Sequence, residues 1–150
     1  MRVYAESSAV LAWLFGEPAG KAPRKALANA DMVLASELTL VECERVLIRA
    51  HVVTGVDEAS LADRRAMLHR AAAHWQLLRL GAEVLERARR PFPGEPLRTL
   101  DALHLASALV ARSAVPGLVV LSLDQRVRAS AVGLGFSVIP DSPAAAAPQE

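Results

Sequence analysis

The sequence has a single cysteine, Cys43, in 150 residues. One thiol excludes an internal disulfide and any zinc site built from cysteines. Lying among apolar residues at helical spacing, it reads as a buried, inert thiol suited to a reducing cytoplasm. Aromatic residues make up 4% of the chain while hydrophobic residues reach 53%, so Ala, Leu and Val must build the core and base stacking is a minor resource. Lysine occurs only at Lys21 and Lys25. Nearly every cation is therefore an arginine, whose planar fork can grip phosphate. The net charge of +1 selects no class of partner by itself. No apolar run approaches the ~20 residues of a membrane span. The N-terminus meets an acid at Glu6, too early for a signal peptide. Together these absences point to a cytoplasmic protein without a membrane partner.

Short apolar runs alternate with helical patterns. Val3–Ala5, Met32–Ala35, Trp75–Leu80, Leu118–Leu121 and Phe136–Ile139 read as strands. The first helix follows Ser7 or Ser8, and a second, over Ala22–Ala30, is broken near Pro23. Ser36 caps a third that runs to about His51; Asp57 or Ser60 opens a fourth; Ala82–Arg89 forms a fifth. Pro91-Phe92-Pro93-Gly94-Glu95-Pro96 is the clearest loop. A further helix carries Asp101, with Leu100, Leu103, Ala106 and Val110 as its apolar face, widened by Leu105, Ala108 and Leu109, so that Asp101, one turn before Leu105, points close to the core; Asp124 opens the last helix. This pattern predicts an α/β domain over residues 1–140: a mainly parallel sheet of about five short strands with helices on both faces. Residues 141–150 read as a flexible tail.

Function in such sheets gathers beyond the carboxyl ends of the strands. Glu6 ends the first strand, Asp124 follows the fourth, Glu42 lies one turn into the helix after the second, and Asp101 sits in the first turn or so of its helix. Each has an ordinary role open to it. Asp124 suits a helix N-cap, Asp101 complements a helix dipole, Glu42 can pair with Arg45 or Arg49, and Glu6 can be a strand-end charge. Together they place four acids at one edge. Two like charges ~4 Å apart repel by roughly 4 kcal/mol at an effective dielectric of ~20, so such a gathering calls for a cation. Oxygen-only ligands select a hard one, Mg²⁺ or Mn²⁺ before Ca²⁺. Such an ion binds phosphate oxygens and activates water for attack on a phosphodiester.

Four segments resemble the motifs of PIN-domain ribonucleases, in order and spacing along nearly the whole chain: Val3–Leu11, Leu38–Arg45, Leu100–Ala106, and Leu121–Val127 with Gly133-Leu134-Gly135-Phe136. In style the chain is similar to the VapC toxins of bacterial toxin–antitoxin pairs. The resemblance implies a PIN-like fold and an Mg²⁺- or Mn²⁺-dependent endoribonuclease, with Glu6, Glu42, Asp101 and Asp124 as catalytic and metal-binding acids. Ser8 or Ser122 would orient them, and His104 would be structural. The family's first acid is usually Asp. Glu6 places its carboxylate ~1.5 Å further out, so the side chain or strand must retract, or the metal must shift. The resemblance also implies a homodimer and a cognate antitoxin, for which Trp13, Leu14, Phe15 and the Val46–Val53 segment offer apolar surface. RNA would meet arginines among Arg64, Arg65, Arg70, Arg87, Arg89, Arg90, Arg126 and Arg128. Two alternatives remain. One is a catalytically silent PIN module that binds RNA or protein. The other is a phosphatase-like or response-regulator-like domain, which lacks its strand-end lysine here.

Overall fold

A computed structural model describes residues 1–141. Residues 142–150, nearly all of the segment read above as a tail, lie outside the described residues. Five strands form one all-parallel sheet: β1 (Arg2–Ala5), β2 (Met32–Ser36), β3 (Gln76–Leu78), β4 (Val119–Leu121) and β5 (Val138–Ile139). Their spatial order is β3-β2-β1-β4-β5. The chain steps from β1 through β2 to β3 on one side, then returns to lay β4 and β5 on the other. The order therefore reverses between β1 and β4, and the carboxyl ends of these two strands flank the crevice where open parallel sheets bind ligands.

Because both faces are covered, the inner strands read as unbroken apolar runs rather than alternating ones. The pleat still sorts their side chains. Val3, Ala5, Val33, Ala35 and Leu121 pack toward α1 (Ser7–Leu14), α2 (Lys21–Asn29), α3 (Glu37–Thr54) and α4 (Glu58–Ala72). Tyr4, Leu34 and Val120 pack toward α5 (Ala82–Ala88), α6 (Thr99–Ala114) and α7 (Gln125–Gly133). Cys43 is fully buried in the first of these layers, as its setting predicts.

Several elements depart from the sequence pattern. Pro23 does not break α2. It is the third residue of that helix, where a backbone N–H has no helical acceptor to lose. Helix α3 continues to Thr54 and stops at Gly55, whose left-handed φ of 69° lets its N–H bond back to Ala50. β3 and β5 are shorter than their apolar runs because each lies at a sheet edge and pairs on one side only. The buried stripe of α6 lies on the Leu105 and Ala108 side of its expected face. Leu100 is 44% exposed, while Asp101, His104, Leu105, Ala106, Ala108 and Ala111 are buried. A helix apolar on most sides does not reveal which stripe faces inward.

Candidate active site

Glu6 leaves β1 and is itself the N-cap of α1, in place of the serines that follow it. Its Oε1 accepts from the Ser8 backbone N–H at 3.1 Å, and its Oε2 accepts from Ser122 Oγ at 2.8 Å and from Ser8 Oγ. The longer side chain has thus curled back over the helix start, and Glu6 is only 5% exposed. Burial pushes its carboxyl above the usual range, although His104 and the Ser8 and Ser122 hydrogen bonds favour the charged form. Ser8 Oγ also accepts from the backbone N–H of Leu123 at 2.9 Å and of Asp124 at 3.2 Å. This hydroxyl ties the ends of β1 and β4 together, beside the Ser122 hydroxyl and the Glu6 N–H, which donates to the Leu121 carbonyl at 3.0 Å.

Asp124 is the N-cap of α7, and one of its oxygens does what the ordinary role predicts. Oδ1 accepts from the N–H groups of Arg126 and Val127 at 2.9 and 3.1 Å. The other, Oδ2, turns to Arg98 Nη2 at 3.4 Å. Asp101, in the first turn of α6 and 7% exposed, presents its Oδ2 to Arg98 Nε, also at 3.4 Å. One guanidinium therefore stands between two carboxylates. Glu42 pairs with neither arginine of its own helix. Its Oε1 accepts from Ser7 Oγ at 2.8 Å and lies in hydrogen-bond contact with His104 Nε2. Partial burial works against its charged form, but His104, with Ser7 and Arg98, outweighs this and holds the carboxyl below the usual range.

All four acids lie at the carboxyl edge of the sheet, as two pairs rather than one ring. Glu6 and Glu42 flank His104, whose Nε2 is 4.0 Å from Glu6 Oε1. Asp101 and Asp124 flank Arg98. Among the described residues, no three acids, cysteines or histidines are disposed to hold one ion together. The donors nonetheless fit a hard divalent cation. They are oxygens only, Arg98 marks a place between Asp101 and Asp124 where a cation is accommodated, and Mg²⁺ needs only one or two carboxylates beside water and phosphate.

Four contributors were not assigned a site role from sequence: Tyr4, Ser7, Arg98 and His104. The i, i+3 spacing of Asp101 and His104 was a usable signal, since it puts both on one helix face. Several candidate arginines are committed elsewhere. Arg87 lies over Phe92 and donates to the carbonyls of Arg90 and Pro91. Arg128 donates to the carbonyls of Ser122 and Pro140 at 2.7 Å. Arg64 lies over Phe15. Arg89, Arg90 and Arg98 instead line a cleft of about 790 Å³ between α5 and α6. Of the surface proposed for a partner, Leu14 belongs to the core, as does Leu47, while Ile48, Val52 and Val53 are exposed.

The PIN-domain family model matches residues 3–132. Ribonuclease VapC46 of Mycobacterium tuberculosis is 36% identical over 140 residues, covering 93% of this chain and 98% of its own. Among solved structures, VapC20 of M. tuberculosis, described as a toxin that cleaves the sarcin-ricin loop, superposes with a TM-score of 0.61 at 15% identity, covering 89% of this chain and 95% of its own. A toxin–antitoxin complex from Klebsiella pneumoniae gives a TM-score of 0.61 at 16% identity over 92% of this chain and 96% of that one. At these identities the superpositions speak to the fold, and the sequence relationship speaks to the family. By family model, by sequence and by fold, the chain belongs to the PIN-domain family, among the VapC ribonucleases.

Proposed function

We propose that this protein is a divalent-metal-dependent endoribonuclease, the toxin of a toxin–antitoxin pair, acting as a single PIN-like unit over residues 1–140. The observation that carries this reading is the pairing of Asp101 and Asp124 around the Arg98 guanidinium at the reversal point of the sheet. Asp101 and Asp124, joined by Glu6 and Glu42, would hold Mg²⁺ or Mn²⁺. When bound, such an ion supplies Lewis-acid stabilisation of the phosphate and lowers the pKa of water. The protein's own groups supply the rest. Ser8 and Ser122 fix Glu6, the α7 N-terminus fixes Asp124, and Arg98 screens the two aspartates from each other. RNA would approach along the cleft bearing Arg89, Arg90 and Arg98, which binds phosphates rather than bases.

A partner surface is available on α3, where Val41, Ile48 and Val52 follow i, i+7, i+11 spacing and are 56%, 40% and 75% exposed. Such a stripe suits a second amphipathic helix, either the antitoxin's or that of a second copy in a homodimer. Among the described residues no helix is long and apolar enough to cross a membrane, in keeping with work in the cytoplasm.

The test is cleavage of a structured RNA by purified protein with Mg²⁺ or Mn²⁺ and with EDTA, beside Asp101→Asn. Cleavage that needs the metal and is lost in the variant supports the nuclease. RNA binding without cleavage in any metal supports the silent module instead.

A further inference from the structure

His104 is 1% exposed, yet both ring nitrogens have partners. Tyr4 Oη lies 3.0 Å from Nδ1, and Nε2 faces Glu42 Oε1, with Ser7 Oγ at 3.0 Å. The chemistry of Glu42 fixes one of the protons. An ionised carboxylate only accepts, so Nε2 must carry the hydrogen that Glu42 receives. In the neutral ring Nδ1 is then an acceptor, and the Tyr4 hydroxyl fills it. Tyr4 is as deeply buried as His104, and the two rings meet edge to face at 6.2 Å. Burial raises the Tyr4 hydroxyl far above its ordinary range, which keeps it a donor. With no solvent-facing nitrogen, the imidazole has no route to a substrate. It acts only on what it touches.

We propose that His104 is a positioning residue for Glu42: the relay Tyr4–His104–Glu42, with Ser7, fixes the direction of that carboxylate at the acid edge. Helix α6 thus delivers two things from one face, the acid Asp101 and, three residues on, the group that aims another acid. The hydrogen-bonded partner that orients a ligating group commonly changes metal affinity ten- to a hundredfold when removed. This role rests on Glu42 belonging to the metal site, as proposed above.

Mn²⁺ affinity, read from the electron paramagnetic resonance signal of the free ion, tests the relay without any turnover. His104→Ala is expected to weaken Mn²⁺ binding roughly 10- to 100-fold. His104→Gln, which keeps an N–H able to reach Glu42, should recover much of the loss. Tyr4→Phe should lose a few-fold. In a Glu42→Gln background His104→Ala should add nothing, because its effect passes through Glu42. In cleavage at limiting Mn²⁺, kcat should fall and return as Mn²⁺ is raised, with KM for RNA unchanged. If His104→Ala fails to fold, His104→Gln and Tyr4→Phe carry the test. Folded His104 and Tyr4 variants that bind Mn²⁺ like the wild type, or losses fully additive with Glu42→Gln, overturn the relay. Unchanged Mn²⁺ affinity in Glu42→Gln alone overturns the metal role of Glu42, and the relay with it.

Discussion

Replacing Ser8 by alanine removes one oxygen that serves four partners, of which Ser122 Oγ, at 3.3 Å, keeps its own bond to Glu6. Ser8 Oγ donates to the Glu6 carboxylate and accepts from the backbone N–H groups of Leu123 and Asp124. A hydrogen bond to a charged group contributes ~1.5–3 kcal/mol, and a buried donor left unpaired costs ~1–3 kcal/mol. Asp124 N–H keeps Ser122 Oγ as an acceptor at 3.1 Å, so only Leu123 N–H is orphaned. Because one hydroxyl makes all these bonds, the losses overlap rather than sum, and ~2–4 kcal/mol is expected. In a domain of this size each kcal/mol lowers the melting temperature by ~2–4 °C, which gives a fall of roughly 4–16 °C. Circular-dichroism melts of the metal-free protein at neutral pH read it directly. In a Glu6→Gln background the same substitution should cost less, since the charged acceptor is gone. A fall of less than about 1 °C would mean that Ser8 does not bind the two strand ends together, and the support assigned to Glu6 would fail with it.

Three further outcomes follow from the same geometry. Because the Glu6 carboxyl is raised in the folded state, its contribution to stability is fully present below the unfolded pKa of ~4.3 and is lost as pH rises through the folded value. Metal-free Glu6→Gln should therefore melt higher than wild type at neutral pH and equal to it near pH 4; a lower melting temperature at neutral pH contradicts this. Arg98→Ala should cost the metal-free protein little, ~0.5 kcal/mol, since Arg98 is 67% exposed and its contacts are 3.4 Å long. Mn²⁺ should then raise the variant's melting temperature more than the wild type's, because no internal cation competes; an equal or smaller rise counts against an ion between Asp101 and Asp124. Gly20→Ala would place a Cβ 2.2 Å from the Ala12 carbonyl oxygen. Backbone has to move there, so a loss of ~1–3 kcal/mol or more is expected by thermal melting, and an unchanged melt would contradict this packing of α1.

The sheet and the edge of acids were legible because both depend on position along short strands. An apolar run that ends at Glu6, as Val3–Ala5 does, or is followed within three residues by Asp124, as Leu118–Leu121 is, puts the acid at a carboxyl end whatever the packing. Helix α6 was less legible. Alanine and leucine surround it, so its sequence does not say which stripe is inward. The position of Asp101 one turn before Leu105 placed its carboxylate close to the core, as found, but the face drawn through Leu100 and Leu103 turned outward and the site role of the buried His104 was not read. The partner of Glu42 was hidden for a related reason. Arg45 and Arg49 are near in sequence, whereas His104 is brought in by the crossing of α6 over the sheet, 62 positions away. Arg98 carries no motif at all, and its place between two aspartates is set by the α6 and α7 starts meeting at the edge. Glu6 shows the same limit from the other side. Its extra methylene was visible, but its retraction onto Ser8 and Ser122 depends on two segments far apart in the chain.

The decisive measurement is an anomalous difference map from crystals of this protein soaked in Mn²⁺. A peak between Asp101 and Asp124, with Arg98 moved aside and the peak absent in Asp101→Asn crystals, is the expected result. A map with no density at these carboxylates, or with Mn²⁺ only at the exposed His69–Glu44 pair, would contradict the assignment of this edge as a metal-dependent nuclease site.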